Sequence, residues 1–340
     1  MKGAGGMTIR ERQERDEEAR LSPYAALSSR SAGRARPIST CDLRTCYQRD
    51  RDRIIHCKSF RRLKYKTQVF LTPMGDHYRT RLTHTLEVSQ VARTLARSLR
   101  LNEDLTEAAA LGHDLGHTPF GHIGESTLNR LLPGGFRHNE QSLRVAERLE
   151  NDGQGLNLCR ETLDGILNHS GQNEPKTLEG WCVRRADRIA YINHDIDDAI
   201  RGGILKPFEL PRRCLSVLGE THGERIDTMI RDIVTTSMDQ PFVRMSEEVR
   251  QASEELRAFL FEYVYHDEWR KKEEARCDYI LSALYEHYLA HPEQLPAEYL
   301  EINFTEGAER AVCDFIACMT DRYAIDQFSE IFVPGAFGRR

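Results

Sequence analysis

Residues 113–125 read HDLGHTPFGHIGE, three histidines, an aspartate and a glutamate set among glycines and apolar residues. In a helix, neighbouring residues lie about 100° apart, so His113 and Asp114 can both reach one ion at its edge. A neutral imidazole beside a carboxylate suits a borderline or hard divalent cation: Mn, Fe, Co, Ni or Mg. Two ligands hold a catalytic metal poorly, so further donors are expected elsewhere. His84 in RTRLTHT and Asp187 in RRADRIAYINHD are the candidates. Each falls on a helix with an apolar side, where an ionisable group needs a partner. Taken one at a time, these residues also have plainer readings. HDLGHTPFGHIGE reads as a polar loop, His84 as a satisfied core histidine, and Asp187 as the partner of Arg184 or Arg188.

The elements that would carry these residues are helical almost throughout from Asp50 onward. THTLEVSQVARTLARSL sets Leu86, Val91, Leu95 and Leu99 close to one helix face. EDLTEAAALGHDLG predicts a helix opening near Asn102 or Glu103 and ended or bent by Gly116 and Pro119. NEQSLRVAERLE, RETLDGILNHS, WCVRRADRIAYINHDIDDAI, CDYILSALYEHYLAHP and GAERAVCDFIACMTDRYAIDQFSEIF continue the pattern. Stretches near 170–180 and 202–211 read as loops. No series of alternating strands, glycine-rich phosphate loop or internal repeat is present. The expected fold class is all-α, a single large helical domain.

The 340 residues suffice for a sizeable core, and 39% hydrophobic with 30% charged residues is a soluble, globular composition. No apolar run approaches a membrane span, and the N-terminus lacks the apolar centre of a signal peptide, so a cytoplasmic protein is expected. Nine cysteines without a CxxC pair predict reduced, mostly buried thiols, and Cys41 and Cys46 are spaced too widely for a usual zinc knuckle. The net charge of -5 is uneven. Residues 1–100 hold 22 Lys and Arg against 10 Asp and Glu, whereas the remainder holds 26 against 43. A basic first third is compatible with phosphate or nucleic-acid contact, and equally with solvated helix faces. Residues 1–36, charged and then rich in Ser, Ala, Gly and Arg, are expected to be a mobile arm, or one ordered only in an oligomer.

His84, His113-Asp114 and Asp187, in that order and spacing, resemble the ligand set of the HD-domain metal-dependent phosphohydrolases. HCKSFRRLKYKTQVF at 56–70, RTRLTHTLEVSQVARTLAR, LGHDLGHTPFGHIGE, FRHNEQS, RRADRIAYINHDIDDA and VCDFIACMTDRYAIDQFSEIF follow in sequence. Together they resemble the bacterial deoxyguanosinetriphosphate triphosphohydrolase-like proteins, the dNTP triphosphohydrolase branch of that superfamily. The likeness runs from about Leu21 to Pro334. It implies an HD-domain helical fold with a core at 37–200 and a C-terminal helical part at 201–340 packed on it. It also implies hydrolysis of deoxynucleoside triphosphates at the α-phosphorus, giving deoxynucleoside and inorganic triphosphate.

By the same resemblance His84, His113, Asp114 and Asp187 hold the metal, and His122 with Glu125 forms a catalytic pair in which the acid orients the imidazole. His117 and His138 match histidines lining the pocket near the phosphates. Arg81, one helical turn before His84, matches a phosphate-binding arginine, and Arg188 matches a phosphate-contacting basic residue. Tyr191 and Asp195, four and eight residues beyond Asp187, match residues under the sugar and at its 3′ hydroxyl. Gly121 and Gly124 would let the backbone approach a ligand or a neighbouring helix. The family implies a homo-oligomer, tetramer or hexamer, and in some members a dNTP activator. Two other readings compete. One is another HD-type nucleotidase or phosphodiesterase, which in its dimetal form would need additional His or Asp ligands. The other is a single-stranded DNA or nucleotide-effector binding protein with weak hydrolysis, for which the dense aromatic–basic alternation of a stacking groove is missing.

Overall fold

Short polar residues start the helices that matter for the site. Thr80, Asn102, Thr177 and Thr320 each accept the backbone N–H three residues on, satisfying a donor that the first helical turn leaves open. The computed structural model describes residues 6–68, 79–264 and 268–334. Residues 1–5 of the N-terminal segment, and Val69 and Phe70 of the stretch at 56–70, lie outside the described residues.

Among the described residues the helices are α1 (Ile9–Arg20), α2 (Cys46–His56), α3 (Lys58–Arg62), α4 (Arg81–Ser98), α5 (Glu103–Gly112), α6 (His122–Leu131), α7 (His138–Arg144) and α8 (Arg160–Leu167). Then come α9 (Leu178–Arg201), α10 (Arg212–Leu218), α11 (His222–Ser237), α12 (Glu247–Tyr263), α13 (Glu268–Ala290), α14 (Ala297–Glu306), α15 (Ala308–Ala317) and α16 (Asp321–Phe332). The same residues contain no strand, only two isolated bridges. The all-α, single-domain expectation holds. No helix among them is long and apolar enough to cross a membrane. The nine cysteines are free, seven of them buried.

One apolar cluster joins α4, α5 and α9 to α10–α12, and a second joins α6 to α13–α16. A third, under α2 and α3, takes in Leu111, Leu115 and Ile166. The segment 113–121 runs between these clusters. Gly116 lets it pass: a Cβ there would stand 2.1 Å from the backbone nitrogen of Ser142 in α7. Gly116→Ala must therefore push α7 away, and should cost roughly 1–3 kcal/mol by overpacking. A thermal midpoint equal to wild type would contradict this.

Several expectations need correction. The N-terminal segment is packed rather than free. Glu17 accepts from the backbone and hydroxyl of Ser28, and Glu179 of α9 accepts from the backbone of Ala26. Arg34 pairs with the fully buried Asp50. Charges that look solvated in sequence thus find distant partners on the same chain. Leu86 is not on the inward face of α4. It is 51% exposed, while Arg81, His84, Thr85, Val88, Ala92 and Leu95 point in. The expected loop at 170–180 gives way to α9 at Leu178, one residue after its Thr177 cap. The last quoted stretch is two helices, because Thr320 caps a fresh start at α16.

Candidate metal centre and catalytic site

Four chain segments bring the candidate residues together. α4 presents Arg81 and His84, and the segment after α5 presents His113, Asp114 and His117. The start of α6 and of α7 presents His122, Glu125 and His138, and the middle of α9 presents Asp187. His84 Nε2 lies 3.1 Å from Asp187 Oδ1. His113 Nε2 lies 3.5 Å from Asp114 Oδ1 and 3.8 Å from Asp187 Oδ1. His84, His113 and Asp114 each offer a ligand atom within 4.8 Å of the others, and all three are buried.

The hydrogen bonds fix which nitrogen faces this centre. His113 Nδ1 lies 2.6 Å from the carbonyl of Ala110, which only an N–H can satisfy. In the neutral ring Nε2 then carries a lone pair. It is buried, has no hydrogen-bond partner, and faces two carboxylates. A lone pair turned on anionic oxygens is unfavourable until a cation lies between them, and a backbone carbonyl fixing the other ring nitrogen is how metal-binding histidines are oriented. The donor set therefore fits a divalent cation, with His84, His113, Asp114 and Asp187 able to hold it. Both carboxyls are kept ionised. Burial opposes this, but the charge around Asp114, of which the Arg81 guanidinium is the permanent part, holds it well below the usual carboxylate range, and the His84 hydrogen bond lowers Asp187.

Arg81 is 3% exposed, and its guanidinium reaches Asp114 Oδ2 at 2.9 Å and the carbonyls of Thr67 and Gln68 at 3.2 and 3.1 Å. Three of its five N–H donors are thus engaged inside the protein, leaving two.

Glu125 is shared. Its carboxylate lies 2.9 and 3.0 Å from His138 Nδ1 and also accepts the His138 backbone N–H. His122 Nδ1 stands farther off at 3.6 Å, on a side chain 65% exposed at the first turn of α6. The pairing expected between His122 and Glu125 is therefore the longer of two. Under His138 lies His169, whose Nδ1 is 2.7 Å from the carbonyl of Ile166, so Nε2 is its acceptor. His138 Nε2 is 3.2 Å from that atom. His138 thus has an acceptor at each nitrogen and is set up as the imidazolium. Burial works against the charge, but the hydrogen bond and charge of Glu125 outweigh it and raise the His138 pKa. Burial, with His113 and His138 nearby, pushes His169 down to about 3, and burial with Arg81 keeps His117 neutral. The His117 ring stacks on His138 with centroids 4.6 Å apart.

Tyr191 and Asp195 follow Asp187 along α9, Asp195 buried and Tyr191 packed against the core, its hydroxyl pushed up to about 12 by burial. Arg188 turns to the next face of α9, where with Arg185, Arg244 and Arg257 it lines a cavity of about 450 Å³. Sequence reasoning missed His169. It sits just past α8 in NHS, where a histidine between Asn and Ser reads as loop. His194 was missed too. It is buried two helical turns beyond Asp187, its ring 5.7 Å from that of His84.

Comparison with known proteins adds an independent line. Residues 81–192 match the HD domain, a span that opens at Arg81 and includes all four candidate ligands, and residues 243–330 match the phosphohydrolase-associated domain. A protein of Caldanaerobacter subterraneus subsp. tengcongensis is 59% identical, over 96% of this chain and 97% of its own length. One of Clostridium perfringens strain 13 is 51% identical over 96% and 98%, and one of Geobacter sulfurreducens 42% identical over 94% and 96%. Each is named deoxyguanosinetriphosphate triphosphohydrolase-like protein.

Proposed function

The chain belongs to the family of deoxyguanosinetriphosphate triphosphohydrolase-like proteins, HD-domain hydrolases, and from that premise we propose that it hydrolyses dGTP and other deoxynucleoside triphosphates to deoxynucleoside and inorganic triphosphate. The observation that carries this reading is the buried, unpaired Nε2 of His113 facing two carboxylates, beside a histidine that Glu125 holds charged. His84, His113, Asp114 and Asp187 would hold the divalent ion, which when bound neutralises phosphate charge and activates water.

The chain's own groups do the rest. Arg81 fixes the orientation of Asp114 through one nitrogen and turns its two remaining N–H donors to the phosphates. His138, charged and with both N–H groups already aligned, supplies positive charge at the triphosphate. Burial makes it a poor proton carrier in repeated turnover. His122, exposed and within reach of Glu125, exchanges protons with bulk water and delivers one to the leaving 5′ oxygen. Neutral His117 lines the wall between them. Arg188 contacts phosphate from the neighbouring face of α9. The Tyr191 ring packs under the sugar, disfavouring a 2′ hydroxyl, while Asp195 takes the 3′ hydroxyl.

Products decide the reading. The protein, stripped of metal and then given Mn or Mg, is incubated with each dNTP singly and with all four mixed, and the products are resolved by ion exchange. Deoxynucleoside with triphosphate, absent under chelator, is expected, and turnover only in mixtures would reveal an activating dNTP. Deoxynucleoside mono- or diphosphate would mean that another bond is cut. No turnover in any mixture would favour binding of single-stranded DNA.

A further inference from the structure

Lys66 and Thr67, in the stretch HCKSFRRLKYKTQVF, and Asp321, in the MTDRYA of the final helices, have so far entered the chemistry only through the Thr67 carbonyl that takes Arg81. They meet beneath the segment that carries His117. We propose that Lys66 and Asp321 are positioning residues that clamp the main chain of the 117–121 turn to the C-terminal helices and so fix the His117 imidazole for phosphate-ester hydrolysis, a role that rests on the function proposed above.

Lys66 is 2% exposed. Its ammonium donates to the carbonyl of His117 and, at 2.8 Å, to that of Ala317 at the end of α15. Among the described residues it forms no ion pair with a carboxylate. Burying a cation on two carbonyls is costly, and an apolar side chain would fill the space more cheaply. What the ammonium adds is two directed bonds joining the turn to α15.

Asp321, the first residue of α16, splits its oxygens. One accepts the Thr67 backbone N–H at 2.9 Å and the Thr67 hydroxyl, and the other accepts the Phe120 backbone N–H at 2.9 Å. Phe120 has φ +59°, left-handed backbone that a bulky residue adopts only when its surroundings impose it. Asp321 is the outside partner of that amide. The same segment reaches the other side of the site, because the carbonyls of Thr67 and Gln68 take the Arg81 guanidinium, and Arg81 holds Asp114. The C-terminal helices thereby set both His117 and Asp114.

The test uses full-length Asp321→Asn, which keeps shape and one acceptor oxygen but turns an amide donor toward one of the two N–H groups. Hydrogen exchange is read in peptides across 115–124 and across α9. Exchange at least tenfold faster in 115–124, with α9 unchanged, is expected. Unchanged exchange, or acceleration throughout the chain, overturns the clamp. This arm needs no turnover, so it stands apart from any failure of the proposed function, which would show as wild type inactive on every dNTP. With wild type active, Asp321→Asn should lower kcat at least tenfold and leave KM within twofold. In a His117→Ala background the same change should cost at least threefold less, the remainder being the part that reaches Asp114 through Thr67 and Arg81. A loss undiminished in that background overturns the role. Thr67→Val removes one of the three bonds and keeps the backbone donors. It carries the same exchange test, with a smaller local rise, if Asp321→Asn does not fold.

Discussion

Asp187→Ala and Asp114→Ala are both expected to lower turnover on the order of 10³-fold or more and to abolish stabilisation by added Mn, but only Asp114→Ala should seriously destabilise the metal-free protein. The common loss follows from the donor set. Each substitution removes one of two carboxylates facing the His113 lone pair, and an ion that supplies several kcal/mol of charge stabilisation cannot be held without them. Wild type with metal at 100 times its dissociation constant gains about 2.7 kcal/mol, a difference both variants should lack. They part company at Arg81. Asp114 Oδ2 is 2.9 Å from that guanidinium, and both groups are buried. Removing the carboxylate strands a buried cation, a loss typically of about 3–5 kcal/mol. Asp187 gives up one hydrogen bond to His84, worth about 1 kcal/mol. Thermal denaturation of chelated and Mn-loaded protein, alongside steady-state hydrolysis, separates the cases. An Asp187→Ala protein that Mn still stabilises would remove this aspartate from the metal centre.

What the sequence made legible was mostly local. Apolar periodicity marked α4, α5 and α9, and Asn102 marked the start of α5, because a cap and a helical face are written within a few residues of one another. The four residues His84, His113, Asp114 and Asp187 lie up to 103 residues apart, and could be singled out because ionisable residues on apolar helices need partners and because their order resembles the ligand set of the HD-domain phosphohydrolases. Distant relations were invisible. Arg34 finds Asp50, and Ala26 finds Glu179, across separations that no periodicity records, so a charged segment looked mobile. His169 matters because α8 ends against α7, a packing fact rather than a pattern. The second, closer partner of Glu125 was not legible, for a similar reason. His122 is three residues away in sequence, but as the first residue of α6 its ring turns to solvent, while His138 arrives from the next helix into hydrogen-bond range.

That arrangement makes Glu125→Gln the second large effect: kcat falls roughly 10²-fold or more, and the alkaline limb of the pH–rate profile moves to lower pH. The drop is the usual worth of an oriented proton-transfer group, since His122 and His138 lose the same anionic partner. The shift follows from what sets the His138 pKa. Burial lowers it, and the Glu125 hydrogen bond and charge raise it above the ordinary histidine value. With glutamine the two largest raising influences are gone, burial and Arg81 still lower the value and only the Asp114 charge still raises it, so His138 sheds its proton at lower pH, and activity that needs its charge fails earlier as pH rises. Stability should carry the same signature. Glu125 has a depressed pKa, so its contribution is present above the unfolded carboxylate value and lost as pH falls toward the folded one. His138 has a raised pKa, so its contribution is complete below the unfolded histidine value and lost as pH rises through the folded one. The wild-type advantage over Glu125→Gln should therefore peak in the mildly acidic window between those unfolded values, about 4.3 and 6.5. Denaturant unfolding across that range, with kcat profiles of both proteins, measures it. An unmoved alkaline limb would show that His138 owes its charge to something other than Glu125.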